Sequence, residues 1–173
     1  MIQLSFQPAF DPFHAVYRLL RLWPILKQFG PLHRDQVRIL DFYLLFPFRA
    51  DAIRLIPKHR KYKRLASDYS GTKPYGNQPD DRTVFDRMEP MQMAAMETLA
   101  SRGLIDAEQL AVGRVEITDM PIPKEILERV ESANRRDADL IELLGTLASD
   151  YDLSGQNGLK ARTGLLEYRY DAV

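Results

Sequence analysis

The sequence predicts a mainly α-helical protein with a small β-hairpin, organised as a winged-helix-like domain with a C-terminal helical extension. Apolar residues recur at three- and four-residue spacing along most of the chain, which is typical of amphipathic helices. Proline and glycine divide these stretches into helix-sized units. Helices followed by strand, turn and strand give the order of a winged helix. We place that domain at residues 1–122 and the extension, packed on it, at residues 123–173.

Four helical stretches are predicted before the hairpin. The first begins at Asp11, whose side chain can accept hydrogen bonds from free N–H groups, and Pro24 should kink it because proline removes a helical hydrogen bond. The other three stretches span residues 33–46, 48–56 and 89–102. Residues 1–8, with alternating apolar side chains, predict a strand or an apolar arm, and residues 67–82 predict a long loop without regular structure.

The last of these helices has a predicted inner stripe, formed by Met91, Ala94, Ala95, Thr98 and Leu99. Two short strands, over residues 104–106 and 114–118, should then flank a turn that contains Gly113. From Pro123 a helical region is expected to reach about Asp150, with a break at residues 134–137, where apolar side chains are missing.

The net charge of zero conceals two halves of opposite sign. Residues 1–88 carry 15 Lys and Arg against 8 Asp and Glu, whereas residues 89–173 carry 9 against 16. Such asymmetry favours a polyanion or a protein as partner. The absence of cysteine excludes disulfides, thiolate zinc sites and cysteine nucleophiles. Because no signal peptide or long apolar segment is apparent, we expect a soluble, cytoplasmic protein.

The most biased stretch is KHRKYKR, residues 58–64, in which five Lys or Arg side chains flank a His and a Tyr. Such a run can neutralise phosphates, in which case binding falls steeply with salt. The residues predicted to contact DNA are Arg54, Lys58, Arg60, Lys61, Lys63 and Arg64. Two alternatives stay open: a solvated charged face, or a patch paired with acidic groups of the C-terminal half. The aromatic side chains of the following loop either stack on bases or pin that loop to its own domain.

Other surfaces are less specific. The helix over residues 89–102 would be the recognition helix of a winged helix, and the side chains that could reach base edges are Gln92, Glu97, Thr98 and Arg102. Its methionine content favours a core helix instead. The acidic, apolar face of residues 126–148 is predicted to dock a protein partner. The residues chosen for that contact are Leu127, Val130, Leu140, Leu143, Leu144 and Leu147.

Catalytic signatures are missing from the sequence. It contains no phosphate-binding glycine loop, no HExxH and no GxSxG motif. Asp80 and Asp81 are adjacent in a loop, where a turn role is favoured over acid–base chemistry. The three histidines lie in separate segments, and His33 fits a helix cap better than a metal site. We therefore expect no catalytic residue, no metal and no cofactor.

Several stretches together carry a resemblance. LDFYLLFPFRAD, the basic run, KPYGNQPD, FDRMEPMQMAAMETLASRGLID and GRVEIT resemble the middle component of bacterial ABC-three-component (Lamassu-type) defence systems over residues 11–123. The resemblance implies a small, non-catalytic, winged-helix-like subunit. Its implied partners are an SMC- or Rad50-like ABC ATPase and a nuclease-like effector, in defence against phage or plasmid DNA. It transfers no binding residues.

Three other functions remain possible from the sequence. A stand-alone winged-helix transcriptional regulator would bind a specific operator as a dimer. In a toxin–antitoxin or structural adaptor, the basic run would meet an acidic protein surface. A small hydrolase would need a pocket that joins Asp80, Asp81 and a histidine.

Overall fold

The computed structural model describes residues 8–171, and within this range the chain is mainly helical. The α-helices are α1 (Pro12–Arg21), α2 (Trp23–Phe29), α3 (Arg34–Leu45), α4 (Arg64–Asp68), α5 (Asp81–Ser101), α6 (Ala107–Ala111), α7 (Lys124–Arg136), α8 (Ala138–Asp150) and α9 (Leu159–Thr163). Two-residue strands, β1 (Leu32–His33) and β2 (Arg114–Val115), complete the fold. The strand or arm expected at the N-terminus lies outside the described residues except for Pro8.

The first helix begins where the sequence predicts. The Asp11 carboxylate accepts hydrogen bonds from the N–H groups of Phe13 (2.8 Å) and His14 (3.1 Å), and Pro12 needs no such partner. The expected kink at Pro24 is a complete break, because α1 ends at Arg21 and α2 begins at Trp23.

Helix α3 forms the centre of the molecule, and nine of its twelve residues are buried. The side chain of His33 caps it by accepting the N–H of Asp35 at 3.1 Å, as its predicted position near a helix start suggested. The helix expected at residues 48–56 is corrected to a 3₁₀ helix, Pro47–Ala52, followed by extended backbone. A second 3₁₀ helix, Pro57–Lys63, carries most of the basic run.

Helix α5 starts eight residues earlier than Glu89, where the sequence pattern placed the helix start. Asp80 caps it by accepting the N–H of Thr83 at 3.0 Å, and the helix continues through Pro90. One internal proline removes a single hydrogen bond, which a well-packed helix tolerates. The predicted inner stripe is also corrected: Thr98 is exposed. The buried residues are Val84, Phe85, Met88, Gln92, Ala95, Met96 and Leu99.

The expected hairpin has a different construction. β2 pairs antiparallel with β1, so that Leu32 faces Val115, and only a single bridge joins Ile105 to Ile117. Helix α6 lies where a turn was predicted. β1 was not predicted because a two-residue strand has no periodicity to detect.

The predicted C-terminal helices and their break are confirmed. α7 ends at Arg136 and α8 begins at Ala138, and α8 packs against α3 and α2 while α7 packs against α1. Arg21 fixes the junction by donating to the side chains of Asn134 (3.0 Å) and Asp137 (2.8 Å). One continuous core therefore joins the two predicted units.

Candidate functional site

The basic run lies along helix α8. Its 3₁₀ helix has three residues per turn, so Lys58, Lys61 and then Arg64 stack on one face. On α8 the acidic residues Asp139, Glu142 and Asp150 share one stripe, because their spacing of three and eight returns to the same face of an α-helix. We call the three cations the basic strip and the three carboxylates the acidic strip.

The two strips pair in antiparallel order. Arg64 lies 2.9 Å from Asp139, Lys61 lies 3.1 Å from Glu142, and Lys58 lies 2.9 Å from Asp150. Hydrogen bonds from Tyr62 and Lys61 lower the pKa of Glu142, and the hydrogen bond from Lys58 lowers that of Asp150. Half of the predicted DNA contacts therefore face acidic groups of the same chain.

Buried aromatic and histidine side chains form further hydrogen bonds between the basic run and the region of α8. The Tyr62 hydroxyl donates to Glu142 at 2.6 Å. His59 lies between Asp150, 3.2 Å from Nε2, and the Tyr151 hydroxyl, 2.8 Å from Nδ1. Burial, and then the charge of Lys58, lower the pKa of His59. A neutral ring with its proton on Nε2 satisfies both neighbours, since Nε2 then donates to Asp150 and Nδ1 accepts from the tyrosine.

The other predicted DNA-contacting cations are exposed but oriented differently. Arg54 donates to the carbonyl of Ala161 at 2.6 Å, and Lys63 donates to the carbonyl of Asp51 at 2.7 Å. Arg60 is exposed and forms no ion pair with the described residues. The structure therefore brings Lys58, Lys61 and Arg64 together and leaves these three cations away from the acidic strip.

A second polar cluster is buried and joins α1, α3 and α5. Arg18 pairs with Asp41 through two contacts, and Gln92 donates to Asp41 at 2.9 Å. Gln92 also accepts from Arg38 at 3.0 Å. Because Gln92 is fully buried in this network, it is corrected from a candidate base-reading residue to a structural one. The sequence held a weak signal for it: a Gln on the apolar side of a helix needs a buried partner.

An open apolar groove of about 760 Å³ lies between α1 and α7. Its residues are Phe13, Val16, Tyr17, Leu20, Glu125, Ile126, Glu128, Arg129, Ser132, Ala133 and Arg136. Phe13 is 85% exposed and Ile126 is 38% exposed. We call this feature the α1–α7 groove. The sequence did not reveal it because the side chains come from two distant segments.

None of the six predicted partner-contact residues lines the α1–α7 groove. Leu127 is 37% exposed, but it faces a separate groove beside Trp23 and Met120. The other five are buried in the chain's own core: Val130, Leu140, Leu143, Leu144 and Leu147. Burial corrects the expectation for those five, since a partner cannot contact them while α7 is packed against α1 and α8 is packed against α2 and α3. The apolar stripe marked the core, as such stripes do in most helices.

The remaining candidates have local roles. Asp80 caps α5, and Asp81 forms an ion pair with Arg49. Among residues 8–171, no group of three His, Asp or Glu side chains is placed to hold a metal ion. No helix in the same part of the chain is long and apolar enough to cross a membrane.

Together these features define a class. The chain is mainly helical and has an open apolar groove rimmed by polar residues, a feature that commonly marks a protein contact site. The family model for Middle Component 5 of the ABC-three component (ABC-3C) systems matches residues 4–171, and the chain belongs to this family. The resemblance drawn from residues 11–123 is thus confirmed, and the match extends over α7, α8 and α9. Neither a curated protein nor a solved structure matches the chain.

Proposed function

We propose that the chain is a non-catalytic accessory subunit of an ATP-driven complex that acts against phage or plasmid DNA. Its partners in this proposal are an SMC- or Rad50-like ABC ATPase and a nuclease-like effector. The observation that carries the proposal is membership of a middle-component family over nearly the whole chain. A middle component belongs to a multi-protein system, so it needs surfaces for other proteins, and we assign that role to the α1–α7 groove.

A winged-helix-like arrangement is part of this proposal. β1 precedes α3, β2 pairs with β1, and the bridge between Ile105 and Ile117 adds a third short segment beside them. In this proposal, α3 and α5 correspond to the second and third helices of that fold. Because Gln92 of α5 is buried, we assign this arrangement to packing and assembly rather than to base reading.

Contact with DNA phosphates is the second part of the proposal. The predicted contacts remain Arg54, Lys58, Arg60, Lys61, Lys63 and Arg64, all of them exposed. Arg60 and Lys63 support it best, because neither pairs with the acidic strip. Ion pairs between exposed side chains are weak in water, so phosphate can compete for Lys58, Lys61 and Arg64.

The pairing of the two strips supports a rival function for the basic run. In that alternative the run is a clasp that attaches residues 57–64 to α8, and DNA plays no part. Substitutions at Arg60 and Lys63 distinguish DNA binding from the clasp, because neither side chain pairs with the acidic strip and so neither contributes much to a clasp. In the assembled complex, Arg60→Glu/Lys63→Glu should reduce the slope of log affinity against log salt by about 0.9 for each phosphate that the variant no longer binds.

The matched control is Arg135→Glu/Arg169→Glu, which makes the same change in charge at two other exposed positions. Fluorescence anisotropy of a labelled duplex at several salt concentrations measures both slopes. Equal slopes for wild type and Arg60→Glu/Lys63→Glu would refute the phosphate contact and favour the clasp.

The defence role has a direct test in cells that carry the three genes of the system. Removing this chain should abolish either the protection of the cells against phage or their ability to eliminate a plasmid. Restoring the chain should restore that activity. Protection that persists without the chain would contradict the proposed role as an accessory subunit.

A further inference from the structure

We propose that the α1–α7 groove docks an amphipathic helix of another component of the same system, and that this helix lies antiparallel to α7. The inference rests on the proposed function, because it needs a protein partner. The inference goes beyond the proposed function by naming the contact surface, the secondary structure of the occupant and the direction in which the occupant lies.

Apolar side chains are exposed along the groove. Phe13 is 85% exposed and Ile126 is 38% exposed, although both side chains are large and apolar. Tyr17 and Val16 are partly buried and complete an apolar floor between the two helices. The first six residues of α7, 124–129, are not buried, since burial on this helix is confined to Val130 and Ala133. An apolar surface of this kind, rimmed by polar residues, marks a contact site.

Charges of opposite sign lie at the two ends of the rim. Glu125 and Glu128, with Arg129 beside them, give the N-terminal part of the α7 rim a net negative charge, whereas Arg136 lies at the C-terminal end. Helices favour acidic residues in their first turn and basic residues in their last. An occupant antiparallel to α7 places its basic last turn beside the two glutamates and its acidic first turn beside Arg136. A parallel occupant would bring like charges together at both ends.

The length of the groove sets the size of the occupant. The lining residues of α7 run from Glu125 to Arg136, which corresponds to about 16 Å at the rise of an α-helix. This length accommodates about three turns, so the occupant should present apolar side chains at positions i, i+3 or i+4, and i+7. A segment of that size supplies the few central anchors that dominate most helix-in-groove contacts.

The structure offers a matched pair of variants for the test. Ile126 and Val112 are both β-branched, apolar and exposed, at 38% and 71%, but Val112 lies at the end of α6 and does not line the α1–α7 groove. The three components are coexpressed with the tag on the ATPase, and the amount of this chain recovered with it is measured. Ile126→Asp should reduce recovery at least about tenfold, as expected for a central anchor, while Val112→Asp stays close to wild type.

A second variant guards against a folding defect. Phe13→Asp changes a side chain outside the core, so it should keep the thermal unfolding midpoint of wild type and still reduce recovery. Equal loss in Ile126→Asp and Val112→Asp, or full recovery of Ile126→Asp and Phe13→Asp, would overturn the groove while leaving the proposed function intact. Self-association of the chain that Ile126→Asp abolishes, with recovery on the ATPase unchanged, would assign the groove to a second copy and also overturn it. Failure of the wild-type chain to copurify would instead contradict the proposed function.

Discussion

Arg18 and Asp41 form a two-point ion pair in the interior of the protein. Nε of Arg18 lies 2.6 Å from Oδ1 of Asp41, Nη2 lies 3.0 Å from Oδ2, and the two side chains are only 2% and 1% exposed. Gln92 adds a donor to the carboxylate, and Pro8 contributes a carbonyl that accepts from the guanidinium. Every strong partner of the pair is thus supplied within the chain, which makes the pair a support for the packing of α1, α3 and α5.

Asp41→Asn should therefore be strongly destabilising. The change keeps the shape of the side chain but leaves the Arg18 charge buried without its counterion, which typically costs about 3–5 kcal/mol. Urea unfolding of the isolated chain measures the loss. Asp35→Asn removes one of two carboxylate partners of Arg38, which keeps Glu89, and should therefore cost less. A similar loss in the two variants would contradict the structural role assigned to the buried pair.

The pairing of the two strips predicts coupling between Lys61 and Glu142. Lys61→Glu alone places two carboxylates in contact and should lower the thermal unfolding midpoint. Adding Glu142→Lys should recover much of that loss, because the exchanged charges lie in the same positions. The same exchange between Lys63 and Glu142, which do not touch, provides the control. Additive effects of Lys61→Glu and Glu142→Lys would show that the basic strip does not pair with α8 in solution.

Acid should destabilise the protein in two steps. The pKa of His59 is lowered from 6.5 by burial and then by Lys58. As the pH drops, His59 therefore binds a proton in the unfolded protein before it does so in the folded protein, and stability falls below about pH 6.5. The pKa of His14, lowered by burial and then by Arg18, acts in the same direction. The pKa values of Glu142 and Asp150 are also lowered, so their contribution is complete at neutral pH and is lost at lower pH, as the carboxylates of the folded protein become protonated.

The histidine step can be isolated with His14→Gln/His59→Gln. Urea unfolding of wild type at several values between about pH 7.5 and pH 5 should give a decreasing free energy of unfolding, and the double variant should flatten that decrease. A slope that the double variant does not change would rule out the two histidines as its source.

Local chemistry made much of this fold predictable. Asp11 before Pro12 located the start of α1, and the polar stretch at residues 134–137 located the break between α7 and α8. Helix α5 was predicted too short because Pro90 looks like a helix start, while the Asp80 cap that begins the helix lies inside a loop-like sequence. Tertiary packing, which local patterns do not encode, decided that outcome.

Surfaces were harder to predict than helices. The basic run was recognised, but its pairing with Glu142, about eighty positions further along the chain, was one of three open interpretations. The apolar stripe of α8 was assigned to a partner, although it packs against α2 and α3 of the same chain. Periodicity identifies an apolar face without identifying what covers it.

The burial of α8 yields a further prediction. Leu143→Ala should destabilise the isolated chain by about 2–5 kcal/mol, because it leaves a cavity in a fully buried position. Leu127→Ala, at a partly exposed position, should cost far less. Chemical unfolding of the two variants without any partner makes the comparison. A nearly neutral Leu143→Ala would contradict the assignment of α8 to the core.

The central claim is that this chain works as part of an assembly. The most direct test is the mass of the particle formed when the purified chain is mixed with the other two components of its ABC-three component system. We expect a single species that contains all three proteins and loses this chain when Ile126 is replaced by Asp. A chain that stays separate from the other two proteins under every nucleotide condition would contradict the claim.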